Sequence, residues 1–406
     1  MIYVPSRMGQ LNRRALLRQL QRLGVASRAD LAKSLGMSQP TAGKIVDELL
    51  DLDVLEEVEL TPQNPRDAGA NLETILRGRP GRQLRLNQSG ARLLGIQLGV
   101  NETSLAGLSL GVPDRDEWHF NFSSNGSGIK PEKNWEQKLG AAAKQIDGDK
   151  LLGVILSVPG VVDETANKIL FSPNLHWTEK VDLVAMVQRI WSVPVLLVQE
   201  ERSLALGHQL ANPGEDNFLL VDFGDGVGGA IVVDGRPLAC TLPISGEIGH
   251  TPVLGNHRKC GCGATGCIET MVSIGGLLES FAAASRKKNE SWSDLSAHIL
   301  EHGIEPWLAQ SLDAAAVAIA GALNVLGLRR VVITGSLTEL PPSVLAHLSR
   351  AVQAGSMWAK FGSVECLAAP RRRAAGLVAV GIDRLVVPEA MPQQKFPLKF
   401  KSFPQK

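Results

Sequence analysis

The chain has 406 residues, 44% of them hydrophobic, with 42 Lys and Arg against 41 Asp and Glu and a formal charge of +1. That length accommodates two or three domains with filled cores, and so small a net charge excludes a global field that draws the molecule to nucleic acid or membrane. No N-terminal run resembles a signal peptide and no stretch of eighteen or more residues is uniformly apolar, which predicts a soluble, cytoplasmic protein with reduced thiols.

In residues 9–23, Leu11, Ala15, Leu16, Leu20 and Leu23 recur at the spacing of an amphipathic helix. SRADLAKSLG follows, with Ser27 placed to cap a second helix and Gly36 to end it. After the turn Gly36-Met37-Ser38, QPTAGKIVDELLDLDVL predicts a third helix with Ile45, Val46, Leu49 and Leu50 facing inward. Helix, short glycine turn and helix is the helix-turn-helix arrangement. Its second helix would present Ser38, Gln39, Thr41, Ala42 and Lys44 to the major groove of DNA. Gln and Lys can read base edges or phosphates, while Ala42 and the Thr41 methyl could touch a thymine methyl.

Charge supports this reading. Up to Lys44 the arm holds Arg7, Arg13, Arg14, Arg18, Arg22, Arg28 and Lys33 against the single acid Asp30, and its other acids come later, from Asp47 to Glu59. Cations gathered at one end of a neutral chain form a local phosphate footprint. A helical bundle used for protein contact is the plainer alternative.

VLEEVEL (54–60) and RQLRLN (82–87) read as two strands that close a wing, joined by a long polar connection rich in Pro, Gly and Asn. The connection ends in Arg77-Gly78-Arg79-Pro80-Gly81-Arg82. On a proline-stiffened strand, Arg79 and Arg82 can enter a narrow minor groove; a basic linker that grazes phosphate is the other reading.

From residue 89 the pattern is α/β: LLGIQLGV, LLGVILSVPG, VPVLLVQ, FLLVDFG, GGAIVVDG and RRVVITGS are short, β-branched and bounded by glycine. Three of the five cysteines fall within eight positions, in Cys260-Gly-Cys262-Gly263-Ala-Thr-Gly266-Cys267. In a reducing compartment such a cluster points to a metal rather than to disulfides. The interleaved glycines let a tight loop wrap an ion, and three thiolates leave one corner of a zinc tetrahedron for a histidine. His250 and His257 are the local candidates, and His250, in the constrained run Gly246-Glu247-Ile248-Gly249-His250, is preferred. Cys240 and Cys366 read as plain core residues. SLDAAAVAIAGALNVLGL (311–328) reads as a buried helix.

Glu-x-Gly-His followed by Cys-x-Cys-Gly-x-x-Gly-Cys-x-Glu resembles the signature of the ROK family of sugar-responsive repressors and sugar kinases. The resemblance assigns structural zinc to His250, Cys260, Cys262 and Cys267 and turns Glu247, His250 and Glu269 toward sugar hydroxyls. It implies a two-lobed, ribonuclease-H-like scaffold of the actin and sugar-kinase superfamily from about residue 92 to 388. Ser157-Val-Pro159-Gly160 and Ser172-Pro-Asn174 resemble its sugar-side loops and Gly224–Gly229 its second phosphate loop. Thr334-Gly335-Ser336 resembles the glycine turn by the nucleotide base, and RRRAAGLVAVGIDRLV (371–386) the closing helix.

Two departures argue against phosphoryl transfer. Where the family's first phosphate loop reads Asp-x-Gly-Gly-Thr, this chain has Gln97-Leu98-Gly99-Val100-Asn101. The family's Asn-Asp pair, sugar ligand and catalytic base, appears as Glu200-Glu201, which shifts the carboxylate by a methylene; misplacement on that scale can cost about 100-fold in rate. Glu200 also brings a charge that can pair with Arg202. The expectation is a non-enzymatic regulator, with an ATP-dependent sugar kinase as the alternative and no catalytic residues. It comprises a winged helix-turn-helix with linker (1–88), a two-lobed sensor (89–389) and a basic tail (390–406). Its expected partners are a double-stranded DNA operator, a second copy of the chain and a sugar or sugar-like effector held by Asn174, Glu200, Glu201, Glu247, His250 and Glu269. Three effector readings stay open: a neutral sugar in a modified pocket, another small ligand, amino-sugar-like for instance given the more acidic cleft, or no small ligand.

Overall fold

A computed structural model describes residues 5–58, 82–90, 92–111, 120–124, 130–146, 151–238, 244–286 and 290–387. Arg79, the 61–81 connection, Cys240 and the 390–406 tail lie outside the described residues.

The N-terminal region contains α1 (Pro5–Leu23), α2 (Arg28–Ser34) and α3 (Gln39–Asp51). A three-stranded antiparallel sheet of β1 (Ala26–Ser27), β2 (Leu55–Val58) and β3 (Gln83–Leu86), in the order β1-β3-β2, packs beside them. Ser27 closes β1 and caps α2 in a capping box with Asp30, and Ser38 caps α3 by accepting from the Thr41 amide. Between them Gly36 takes φ 64°, the left-handed geometry that ends α2. Leu16, Leu17, Leu20, Leu31, Val46, Leu49 and Leu84 are fully buried at the centre.

This core runs on without a break. The same apolar cluster continues through Leu93, Leu108 and Leu110 into the last helix and on to Val387.

The α/β region is built on two five-stranded sheets. The first holds β4 (Leu93–Leu98), β5 (Glu102–Leu108), β6 (Phe120–Ser123), β7 (Gly153–Val158) and, beyond the hairpin β8 (Val161–Asp163) and β9 (Lys168–Phe171), β10 (Val195–Gln199). Its order is β10-β7-β4-β5-β6, with β10, β7 and β4 parallel. The second holds β11 (Phe218–Phe223), β12 (Val227–Val233), β13 (Arg236–Pro237), β14 (Arg330–Gly335) and β15 (Glu365–Ala368), in the order β13-β12-β11-β14-β15. All six sequence-predicted strands are present as β4, β7, β10, β11, β12 and β14.

Helices α4 (Pro131–Ala143) and α5 (Leu183–Ile190) accompany the first sheet, and α6 (Glu200–Ala211) touches both sheets. The second sheet carries α7 (Glu269–Val272), α8 (Ile274–Ser285), α9 (Trp292–His302), α10 (Pro306–Leu326) and α11 (Pro342–Gly355). Last comes α12 (Arg373–Gly381), packed along α6 and ending in a π-helical turn, Ile382–Val386.

Helix α10 departs from the expected buried helix. Leu312, Ala315, Ile319 and Leu323 are buried, but Val317 and Val325 are 74% and 87% exposed. It lies on the outside of the second sheet, so only one stripe meets neighbours. Among the described residues it is the one helix long and apolar enough to cross a membrane, with 44% of that stretch buried.

Candidate functional site: an acidic cleft, a thiol cluster and an exposed helix

A cavity of about 120 Å³ opens between the lobes, lined by Asn174, Glu200, Glu201, Glu247, His250 and Glu269 together with Gln97, Val100, Asp222 and Arg371. All six expected effector residues therefore meet at one place. Space of that size holds on the order of ten waters, or a small polar ligand replacing them.

The floor is the start of α6. Glu200 accepts from Gln97 Nε2 at 2.6 Å and lies 3.6 Å from Arg373. The expected partner Arg202 instead faces Glu164, at 3.6 Å, because side chains two apart on a helix point in different directions. Burial pushes the Glu200 carboxyl up, and it pushes Glu201 up further, with Glu200 and Glu247 adding repulsion. On the opposite wall Glu269 Oε2 accepts from the Val227 amide at 2.8 Å, and Glu247 meets Gln199 Nε2 at 3.4 Å. Burial raises Glu247 as well.

Next to this wall stands the thiol cluster. The ligand atoms of His250, Cys260, Cys262 and Cys267 lie within 4.8 Å of one another. A zinc tetrahedron with ordinary bond lengths has S···S edges of about 3.8 Å and N···S edges of about 3.6 Å. Here Cys262 Sγ and Cys267 Sγ are 3.6 Å apart, and Cys260 Sγ is 3.6 Å from His250 Nδ1. The donor set fits zinc in number, type and spacing. His257 is exposed and outside the cluster. Burial lifts the Cys260 and Cys267 thiols above their usual range, a cost that a bound dication reverses. The loop also braces the cleft, since a Cβ at Gly261 would lie 2.6 Å from the Pro173 carbonyl and 3.2 Å from Asn174 Oδ1.

The nucleotide side differs. Arg371 grips Asp222 through two hydrogen bonds of 2.7 and 2.8 Å, donates to the Phe223 carbonyl, and Thr334 Oγ1 also donates to Asp222. Its Nη2 lies 2.5 Å from where a Cβ would stand on Gly224 and equally on Gly335. The guanidinium thus fills the space between the two turns that the resemblance places around a nucleotide. Val100 lines the cleft at the hairpin turn between β4 and β5. Sequence reading missed Arg371 and Arg373; their one local signal was the arginine triplet ahead of α12.

At the N-terminal region, Ser38, Gln39, Thr41 and Lys44 are exposed on α3. Ala42 is a correction: it is 0% exposed and sits in the stripe with Ile45, Val46 and Leu49, so it cannot touch a base. The basic footprint also shrinks. Arg13 pairs with Glu48, Arg28 with Asp47 and Glu57, Arg14 and Arg18 with Asp383, and Arg82, 80% exposed, with Glu57 at 2.6 Å.

Residues 130–379 match the model of the ROK family. The chain belongs to the ROK family. A xylose repressor of Bacillus spizizenii is 24% identical over 384 residues, covering 93% of this ROK chain and 95% of that protein. A glucokinase of Halalkalibacterium halodurans is 26% identical over 286 residues, covering 64% of this chain and 85% of that one. A solved ROK family transcriptional regulator, a homologue of the E. coli MLC protein, superposes with a TM-score of 0.71 at 21% identity, covering 94% of this chain and 98% of its own. That likeness establishes the two-lobed fold with its N-terminal helical region.

Proposed function

We propose that this ROK chain is a sugar-responsive transcriptional repressor of carbohydrate-related genes, acting in the cytoplasm. One observation carries the reading. A helix-turn-helix with an exposed second helix is fused through a shared core to a cleft that keeps Asn174, Glu247, His250 and Glu269 on its sugar side while Arg371 fills its nucleotide side. Residues 1–88 form the DNA-binding domain and 89–389 the sensor. Gln39 and Lys44, with Ser38, Thr41 and Arg82 beside them, face operator DNA. Zinc at His250, Cys260, Cys262 and Cys267 is structural, since four protein ligands leave no open position, and it holds the wall that carries Glu247 and Glu269. The same cleft argues against kinase activity, for which neither a free phosphate turn nor a freely placed base is available.

The transmission route follows from the packing. Glu200 and Glu201 open α6, and α6 crosses α12 at backbone distance: a Cβ at Gly207 would lie 2.2 Å from the Arg372 carbonyl, and one at Gly376 2.0 Å from the Ser203 carbonyl. With no side chain between them to absorb a shift, a displacement of α6 is passed to α12 in this account. Helix α12 then runs into the π-helical turn whose Asp383 pairs with Arg14 and Arg18 of α1. An effector changes DNA affinity only if it binds one arrangement of this chain of contacts more tightly.

Binding two half-sites about 34 Å apart requires two copies. The exposed face of α10 suits a homodimer: Val317 and Val325 are 74% and 87% exposed with open space above Gly321 between them, and Met357 and Phe361 in the turn after α11 are 64% and 74% exposed. Its small residues let the same helix of a second copy approach closely.

The test is selection of full-length protein on random duplex DNA, then anisotropy across salt concentrations. A regulator enriches a sequence with two related half-sites, and Gln39→Ala changes the preferred bases. No enrichment, with ADP released from ATP and a sugar, would sink the reading in favour of a kinase.

A further inference from the structure

The charges around the cleft do not balance. Its lining contains six carboxylates, Glu200, Glu201, Asp222, Asp225, Glu247 and Glu269, but only two guanidiniums, those of Arg371 and Arg373. Both cations are engaged, Arg371 in the fork with Asp222 and Arg373 at 3.6 Å from Glu200. Glu269 is held by a backbone amide. Of the remaining three, Asp225 is exposed, and Glu201 and Glu247 face the cavity with no Arg or Lys partner among the described residues; the nearest cation-capable group to Glu247 is His250, at 3.7 Å.

A second observation is independent of counting charges. Glu201 Oε2 is buried and meets no hydrogen-bond donor among the described residues. Its other oxygen lies close over β12, where a Cβ at Gly228 would stand 2.4 Å from Oε1. A buried polar atom without a partner costs free energy, more so when charged, unless the ligand supplies what is missing. A neutral polyol donates hydroxyl hydrogens to such an oxygen but does nothing against the burial that favours the protonated carboxyl, whereas a cation lets it ionise. An ammonium group supplies three donors and the compensating charge together.

We infer that the effector of this cleft is a sugar-like molecule bearing a free, protonated amine, seated against Glu201 and Glu247. The inference rests on the sugar-responsive reading and narrows it to a chemical class. An N-acylated amine does not qualify, because acylation removes the charge.

Calorimetric titration of the full chain tests this at pH 7, with glucosamine and galactosamine as aminated probes and glucose, galactose, xylose and N-acetylglucosamine as neutral ones. The expected result is at least tenfold tighter binding of one aminated probe than of its neutral parent and its acylated form. Glu201→Gln, a near-isosteric change, erases that preference, and Glu247→Gln reduces it. Should a neutral sugar bind as well as its aminated counterpart, the charge argument is overturned while the sugar-responsive reading stands. If no probe of either class binds wild type, both fail. If the amine preference survives both Gln substitutions, it comes from elsewhere and the assignment to these two carboxylates is wrong.

Discussion

Replacing Asp383 with alanine cuts the polar seam between the N-terminal helix and the α/β region. Asp383 Oδ1 lies 3.1 Å from Arg14 Nε, with side chains only 22% and 12% exposed, and Oδ2 accepts from Arg18 at 3.2 Å, where Arg18 is 38% exposed. The Arg14 contact is a nearly dry ion pair with no hydrogen bond at Nε, and its loss costs about 1.5–3 kcal/mol, between an exposed pair and a fully buried one. The Arg18 contact is screened and adds about 0.2–1 kcal/mol. The Asp383 carbonyl still accepts from Arg14 at 2.8 Å in the variant, so the lower ends apply. The seam loses about 2 kcal/mol, roughly a 30-fold rise in its opening constant. Hydrogen exchange reads this directly: amides of Leu16, Leu17 and Leu20 exchange about 30-fold faster, while β7 and β11 keep their protection. A change below twofold in α1, or equal acceleration throughout the molecule, would refute the reasoning and leave the apolar core as the whole of the connection.

Four further outcomes follow. Purified protein contains one zinc per chain by elemental analysis, and a strong chelator lowers the unfolding midpoint and removes any ligand-induced shift; a chelator-insensitive midpoint contradicts structural zinc. Asp222→Ala leaves Arg371 buried and unpaired and costs about 3–5 kcal/mol in urea unfolding, whereas the double change Asp222→Leu with Arg371→Met costs far less; equal losses would mean the pair is not coupled. Ala42→Leu overpacks the helix-turn-helix by about 1–3 kcal/mol, while Lys44→Ala leaves stability unchanged and lowers the salt slope of DNA binding by about one; the opposite pattern restores Ala42 to the surface. Finally, a carboxyl raised in the folded state binds more protons than in the unfolded chain, so its contribution is full below the ordinary carboxylate range and is lost as pH rises through the folded value. Because Glu201 is raised well above its ordinary value, Glu201→Gln flattens the pH dependence of stability above that range, and an unchanged slope would show the group titrates normally.

Much of this was readable from residue spacing. The caps at Ser27 and Ser38, the six β-branched strands and the Cys-His cluster depend on local chemistry, and each lies where that chemistry put it. Ala42 was readable too: it stands three before Ile45 and seven before Leu49, within the inward stripe, and only its small size suggested otherwise. Arg202 follows Glu200 by two positions, a spacing that keeps helical side chains apart. Other features had no local signal. The grip of Arg371 on Asp222 joins residues 149 positions apart, and the pairing of Arg14 and Arg18 with Asp383 spans more than 360. β1 is two residues long, and its existence depends on β3 arriving from far along the chain.

Helix α3 begins with a division of labour that bears on how such a protein acquires new targets. Ser38 and Thr41, although exposed, bond to each other at 2.8 Å and close the helix start. Gln39 and Lys44 stand beside them without any such duty among the described contacts. Exchanging a side chain that supports nothing usually changes stability by less than about 0.5 kcal/mol, whereas losing the cap costs about 1 kcal/mol. On the proposed reading, operator preference can therefore drift at positions 39 and 44 while the scaffold stays intact, and a duplicated copy can be re-addressed to another promoter without first being rebuilt.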